Sequence, residues 1–272
     1  MSSNRTTPVQ ITWTPQQVDT VIDTLAHLRL QADIDLLPKY PYFGTKPYPL
    51  GRCKEIRDAV FGLLQIQLKK PDSEGLMLLH DALIKGASLT KAWGSLRDLY
   101  FQNALILGNW YLDVSNDTVN PNKPRVEVLP VEQSGFNSIR DFEHFAYIAK
   151  SYWGVTIYRN TVCPALAPFL PFLYVKKDGT SWMGEASDDM LAVAMNSEFT
   201  ASERILTSLP TPPKQIELAW VKALSRLEHH SLLHAKGDPT AYCDIYRGKH
   251  YYKDSAFRDA LIMAFLALPK SV

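Results

Sequence analysis

The sequence predicts a mainly α fold of the α+β class: a single helical domain over residues 1–272, with a small antiparallel β hairpin or edge in the middle of the chain. Three observations carry that expectation. Apolar residues recur at helical spacing through most of the first and last thirds. Turn-forming residues and short alternating stretches concentrate near residues 108–183. The chain is 46% hydrophobic and 21% charged, a balance that buries a core and argues against disorder.

The elements follow in order. Thr14-Pro15-Gln16-Gln17 reads as a capping box with proline at the first helical position, and Val18, Val21, Ile22, Leu25 and Leu28 then share one face. Residues 39–50 carry Pro41, Pro47 and Pro49 among Tyr40, Tyr42 and Tyr48, an aromatic loop that either packs on the core or forms a binding lip. Helices are expected over 54–69, 74–84 and 89–106, the last bent near Gly94. The stretch 109–124 is rich in Asp, Asn and Pro, and 125–129 alternates like a half-buried strand.

Asn137 or Ser138 is expected to cap a helix bearing Phe142, Phe145, Ile148 and Ala149, with Gly154 at its end. Residues 155–158 suit a short strand, and Asp178-Gly179 marks a tight hairpin between 172–177 and 180–183. Thr200-Ala201-Ser202-Glu203 reads as a second capping box. A helix over 214–234 is stopped by Gly237-Asp238-Pro239, and a final one follows Ser255.

Charge and cysteine usage narrow the function classes. Lys plus Arg number 29 against 28 for Asp plus Glu, so no general attraction to phosphate backbones arises. Three widely spaced cysteines, Cys53, Cys163 and Cys243, do not form a disulfide framework and fit a reducing compartment. The chain starts with polar residues, and its longest apolar run, 260–268, is too short to span a bilayer. A cytoplasmic protein without a membrane partner is expected. Phosphate-loop, dinucleotide and Gly-x-Ser-x-Gly patterns are absent.

Several constellations invite chemistry. His230 and His234 are one helical turn apart on the expected 214–234 helix, so both imidazoles can face one transition metal; Glu228 lies on another side. The pattern is not His-Glu-x-x-His, and histidines in a last turn also cap carbonyls without any metal. Asp141 and His144, three apart, can share a face as an orienting carboxylate and a general base, or form an ordinary surface pair. His80-Asp81 with His27 suggests a helical metal site only faintly.

Asp113-Val114-Ser115-Asn116-Asp117 offers oxygen ligands, but Thr118 stands where a calcium loop needs glycine. Cys53 enters a helix, where the dipole favours a thiolate if the group is exposed. Residues 247–253 mix Arg247, Lys249 and Lys253 with Tyr251 and Tyr252, a combination that contacts phosphates and bases or simply packs its rings.

The leading expectation is an enzyme, metal-dependent through His230 and His234, acting on a small molecule or peptide. The alternative is a non-catalytic accessory subunit that binds a protein or peptide through Tyr40, Tyr42, Tyr48 and Trp110. Nucleic-acid binding through 247–253 ranks third, because the net charge is only +1.

Overall fold

Helix α1 (Pro15–Leu36) begins as its sequence predicts: the Thr14 hydroxyl accepts from the Gln17 N–H, and the Gln17 side chain accepts from the Thr14 N–H. A computed structural model describes residues 9–184 and 187–272. The polar start of the chain, read as lacking a secretory leader, lies outside the described residues. A short hairpin of β1 (Tyr42–Phe43) and β2 (Lys46–Pro47) follows α1. Helices α2 (Cys53–Gln67) and α3 (Glu74–Ile84) complete the helical layer, and Ser73 caps α3. Val21, Leu25 and Leu28 of α1, Ile56, Val60 and Leu64 of α2, and Leu76 and Leu79 of α3 are among the buried residues of this layer.

The sequence then departs from its expected reading. Residues 89–106 are not a helix. They form β3 (Leu89–Leu96) and most of β4 (Tyr100–Leu107), an antiparallel pair. Strands β5 (Trp110–Asp113) and β6 (Glu127–Pro130), helix α4 (Val131–Ser134) and strand β7 (Phe136–Asn137) follow. The result is a five-stranded antiparallel sheet in the order β6-β5-β4-β3-β7. The expectation of a helical domain with a small hairpin is therefore corrected. The chain is 46% helix and 16% strand, with this curled sheet and two others.

Burial of β4 on both faces explains that half of the misreading. Leu105, Leu107, Trp110, Leu112 and Val128 join the core that includes the buried faces of α1, α2 and α3. The intervening Leu96, Ala104, Tyr111 and Phe136 form a second apolar cluster. A strand buried on both sides reads as an apolar run, which periodicity cannot tell from a buried helix.

The chain divides into two compact units, with the boundary between Ser138 and Ile139. The second unit opens with α5 (Phe142–Tyr152), capped by Asp141 rather than by Asn137 or Ser138. Strands β8 (Thr156–Arg159), β9 (Phe172–Val175) and β10 (Ser181–Met183) form a sheet in the order β10-β9-β8, and Gly179 holds a φ of +86° at the expected hairpin. Helices α6 (Asp188–Asn196), α7 (Thr200–Ser208), α8 (Lys214–Leu224), α9 (Pro239–Gly248) and α10 (Ser255–Leu266) follow.

Helix α8 stops ten residues short of the expected end at 234, and α9 begins where only a stop was expected. There Asp238 caps and Pro239 takes the first helical position. The second capping box does not form, since Phe199 precedes α7 in the left-handed region without a side-chain cap. Ile157, Phe169, Leu173, Tyr174, Phe199 and Trp220 are among the side chains buried in this unit.

Candidate functional site

The first unit leaves one sheet edge half open. Strand β3 pairs with β4 along its whole length but with β7 only at Ser95 and Leu96. The Arg97 N–H donates to Gly135 O at 2.8 Å, so odd-numbered positions turn their backbone groups toward β7. Ser88 O accepts from the Gly108 N–H at 3.2 Å, so even-numbered positions face β4. The amide and carbonyl groups of Leu89 and Lys91 thus point away from β4, and they have no hydrogen-bond partner among the described residues. Gly94 sets where β7 crosses. A Cβ there would stand 2.3 Å from Asn137 O, so only glycine admits the close approach.

Beside this edge lies a groove of about 1080 Å³. Thr90 and Ala92 of β3 are small side chains on its floor, with Ile106, Val131 and Phe136 as apolar wall and Glu132 among its polar residues. Asn109, also in the lining, is fixed by a pair of bonds. Its side chain accepts from the Ile11 N–H at 2.8 Å and donates to Ile11 O at 3.2 Å. Among the described residues Glu132 is the sole carboxylate of the lining, and neither histidine nor cysteine contributes.

A buried polar cluster in the same unit stays out of this groove. Asp113 is fully buried and accepts from Gln102 Nε2 at 2.7 Å, the Tyr111 hydroxyl at 2.9 Å and the Ser115 N–H at 2.9 Å. Burial pushes the Asp113 carboxyl above the usual carboxylate range, against the pull of these three donors. Burial, and then the nearby Asp113 charge, raises the Tyr111 hydroxyl as well. Neither residue lines the groove, so the pair supports the fold. The calcium reading of 113–117 fails for a related reason: Asp117 is held by Arg29 Nη1 at 2.9 Å.

The four aromatic residues expected to bind separate into two pairs. Tyr40 and Tyr42 are exposed, at 37% and 63%, beside Phe43 at 53%. The Arg52 guanidinium lies 4.8 Å from the Tyr40 ring centre and 5.1 Å from that of Phe43, and it donates to Tyr42 O at 2.6 Å. Tyr48 instead donates to Asp33, and buried Trp110 donates from Nε1 to Ile11 O at 3.0 Å while packing on Trp13. These two anchor the fold.

His230 and His234 do not share a helix face, because α8 ends at Leu224. His234 Nδ1 accepts from the His230 N–H at 3.1 Å, and Nε2 lies 3.2 Å from Leu224 O, positioned to donate. Nδ1 also lies 3.1 Å from His230 O, so both ring nitrogens of His234 face backbone groups instead of a metal position shared with His230. His230 Nδ1 accepts from the Leu232 N–H at 3.2 Å. Among the described residues no three His, Cys, Asp or Glu side chains are grouped to hold a metal ion, which also removes the basis for a site at His80 or His27. The expected transition metal therefore has no ligand set here.

Asp141 accepts from the His144 backbone N–H at 2.8 Å, the bond of a helix cap. His144 is buried at 6% exposure, and its Nδ1 accepts from the Arg140 N–H at 3.2 Å. Glu143, between them, takes both oxygens to Arg204, at 2.7 and 2.9 Å. At 247–253, Tyr251 stacks on Phe257 at 3.7 Å, Tyr252 meets Phe199 edge-on, and Arg247 donates to Asp244 at 2.6 Å. Those rings pack internally. Burial also raises the Cys53 thiol, so the helix start does not yield a thiolate.

No family model, no curated protein and no solved structure matches this chain. No helix among the described residues is long and apolar enough to cross a membrane. The residues of the open edge, Leu89 and Lys91, and those of the groove beside it, Thr90, Ala92 and Glu132, were missed by sequence reasoning. Their signal is strand register, and it is hidden once 89–106 is read as a helix.

Proposed function

We propose that this protein is a non-catalytic peptide-binding protein whose first unit takes an extended segment of a partner as an added strand along β3. The observation that carries this reading is the backbone of Leu89 and Lys91, unpaired among the described residues and lying beside a groove of about 1080 Å³. Strand addition draws affinity from main-chain hydrogen bonds and specificity from alternate side chains. Thr90 and Ala92 leave room for apolar side chains at every second position of the guest, and Glu132 favours a basic residue among them. Among the described residues the lining holds one carboxylate and no nucleophile–base pair, which supports a role in binding over one in turnover.

Lys91→Pro is the direct test. The Lys91 amide faces outward, so proline there spares the β4 ladder yet cannot donate to an incoming strand. Peptides selected on the native protein from a random extended library are expected to bind the variant at least about tenfold more weakly, the equivalent of one or two lost hydrogen bonds. Fluorescence anisotropy reads the affinity, and circular dichroism checks that the sheet persists. Equal affinity of the two proteins for the selected peptides would overturn the reading.

A further inference from the structure

The second unit carries a separate open groove of about 550 Å³, formed by the end of α8, the end of α10 and the segment after it. Its floor is small and apolar, with Ala219, Ala223 and Ala267 beside Leu268 and Val272. Small floor residues let another backbone come close, within the roughly 8–10 Å axis spacing of packed helices. Met263 lies one turn before Ala267 on α10 and is 66% exposed, which extends apolar surface from the groove.

Two cations also line it. Lys222 and Arg226 stand four residues apart on the α8 side, both exposed, and neither forms an ion pair among the described residues. The nearest acidic residue in sequence, Glu228, is exposed and does not line the groove. An apolar trough whose two cations have no ion-pair partner among the described residues is complementary to one kind of guest. We propose that this groove docks an acidic amphipathic helix of a partner protein, with apolar side chains on the alanine floor and carboxylates set against Lys222 and Arg226. The proposal is independent of strand addition at β3.

The test uses the full chain and a displayed helical library whose inward positions vary among Leu, Met and Ala and whose flanking positions vary among Glu, Lys and Gln. Selected helices are expected to carry Glu at flanking positions one turn apart. Lys222→Glu with Arg226→Glu is expected to weaken those helices at least about tenfold and to shift selection toward Lys, as charge complementarity requires. The milder pair Lys222→Ala and Arg226→Ala, checked by thermal melting, separates lost charge from lost fold. Selection without acidic preference, or undiminished binding by the charge-reversed protein, would overturn the proposal. So would direct binding of dodecanoate, read by titration calorimetry, in the absence of any helix binding, since that result assigns the trough to a fatty carboxylate. Lys91→Pro is expected to leave helix binding unchanged.

Discussion

Asp113 shows how one buried side chain makes the fold depend on pH. Its carboxyl is raised by burial, so the folded protein binds that proton more tightly than the unfolded chain does. Stability from this group is therefore full at acid pH, below the ordinary aspartate value of about 3.9, and is lost as pH rises through the folded value. The donors Gln102, Tyr111 and Ser115 limit that loss by solvating the carboxylate. Tyr111→Phe removes one of them and leaves the carboxyl less able to ionise. The expected destabilisation is about 1.5–3 kcal/mol where the carboxyl is ionised, the range for hydrogen bonds to charged groups, and less where it is protonated. Urea unfolding of the variant over a pH series measures the difference. A loss that is equal at every pH would contradict this account of Asp113.

At the scale of elements, Arg29 ties α1 to the loop after β5. Its guanidinium is fully buried and donates to Val114 O at 2.8 Å, to Asp117 at 2.9 Å and to Asp33 at 2.6 Å. Arg29→Ala strands Asp117 in the interior, and breaking such a pair from one side costs about 3–5 kcal/mol. Adding Asp117→Asn removes the orphaned charge and is expected to recover at least about 1 kcal/mol; a urea-unfolding cycle with no recovery refutes the pairing. Helices whose stability is announced locally were legible: the cap at Thr14 and the bounds of α3 are written in adjacent residues. The β3–β4 hairpin was not. Arg97 and Asp98 hold φ of 55° and 51°, a backbone that Asn-Gly usually signals, so no turn pattern was visible. The Ser95 hydroxyl does the local work, donating to Asp98 at 2.6 Å and accepting from its N–H at 3.1 Å. The histidine site failed for a similar reason. No Gly or Pro after Leu224 announces the end of α8, yet His234 meets the Leu224 carbonyl and closes that end from ten residues away. Of the expected binding residues, Tyr40 and Tyr42 are exposed, because a proline-rich loop after a capped helix is a local property.

At the scale of the whole molecule, the first unit contains the parts a separate fold requires. Its core joins Val21, Leu25, Ile56 and Leu64 of the helices to Leu105, Leu112 and Val128 of the sheet, all on one side of the boundary at Ser138. A chain of roughly 130 residues buries about two-thirds of its extended surface, enough for cooperative stability without staples. Residues 9–138 expressed alone are therefore expected to give a cooperative thermal transition by circular dichroism with an antiparallel-sheet signature. They are also expected to bind β3-selected peptides within about threefold of the full chain, since every group of the open edge and its groove lies in this segment. A folded fragment without peptide affinity would place the peptide contacts outside the first unit and remove strand addition at β3 as their source. A broad, non-cooperative melt would instead join the two units into one folding domain, the organisation that composition and connector length suggest, and would make the β3 edge a feature held in place by the entire chain.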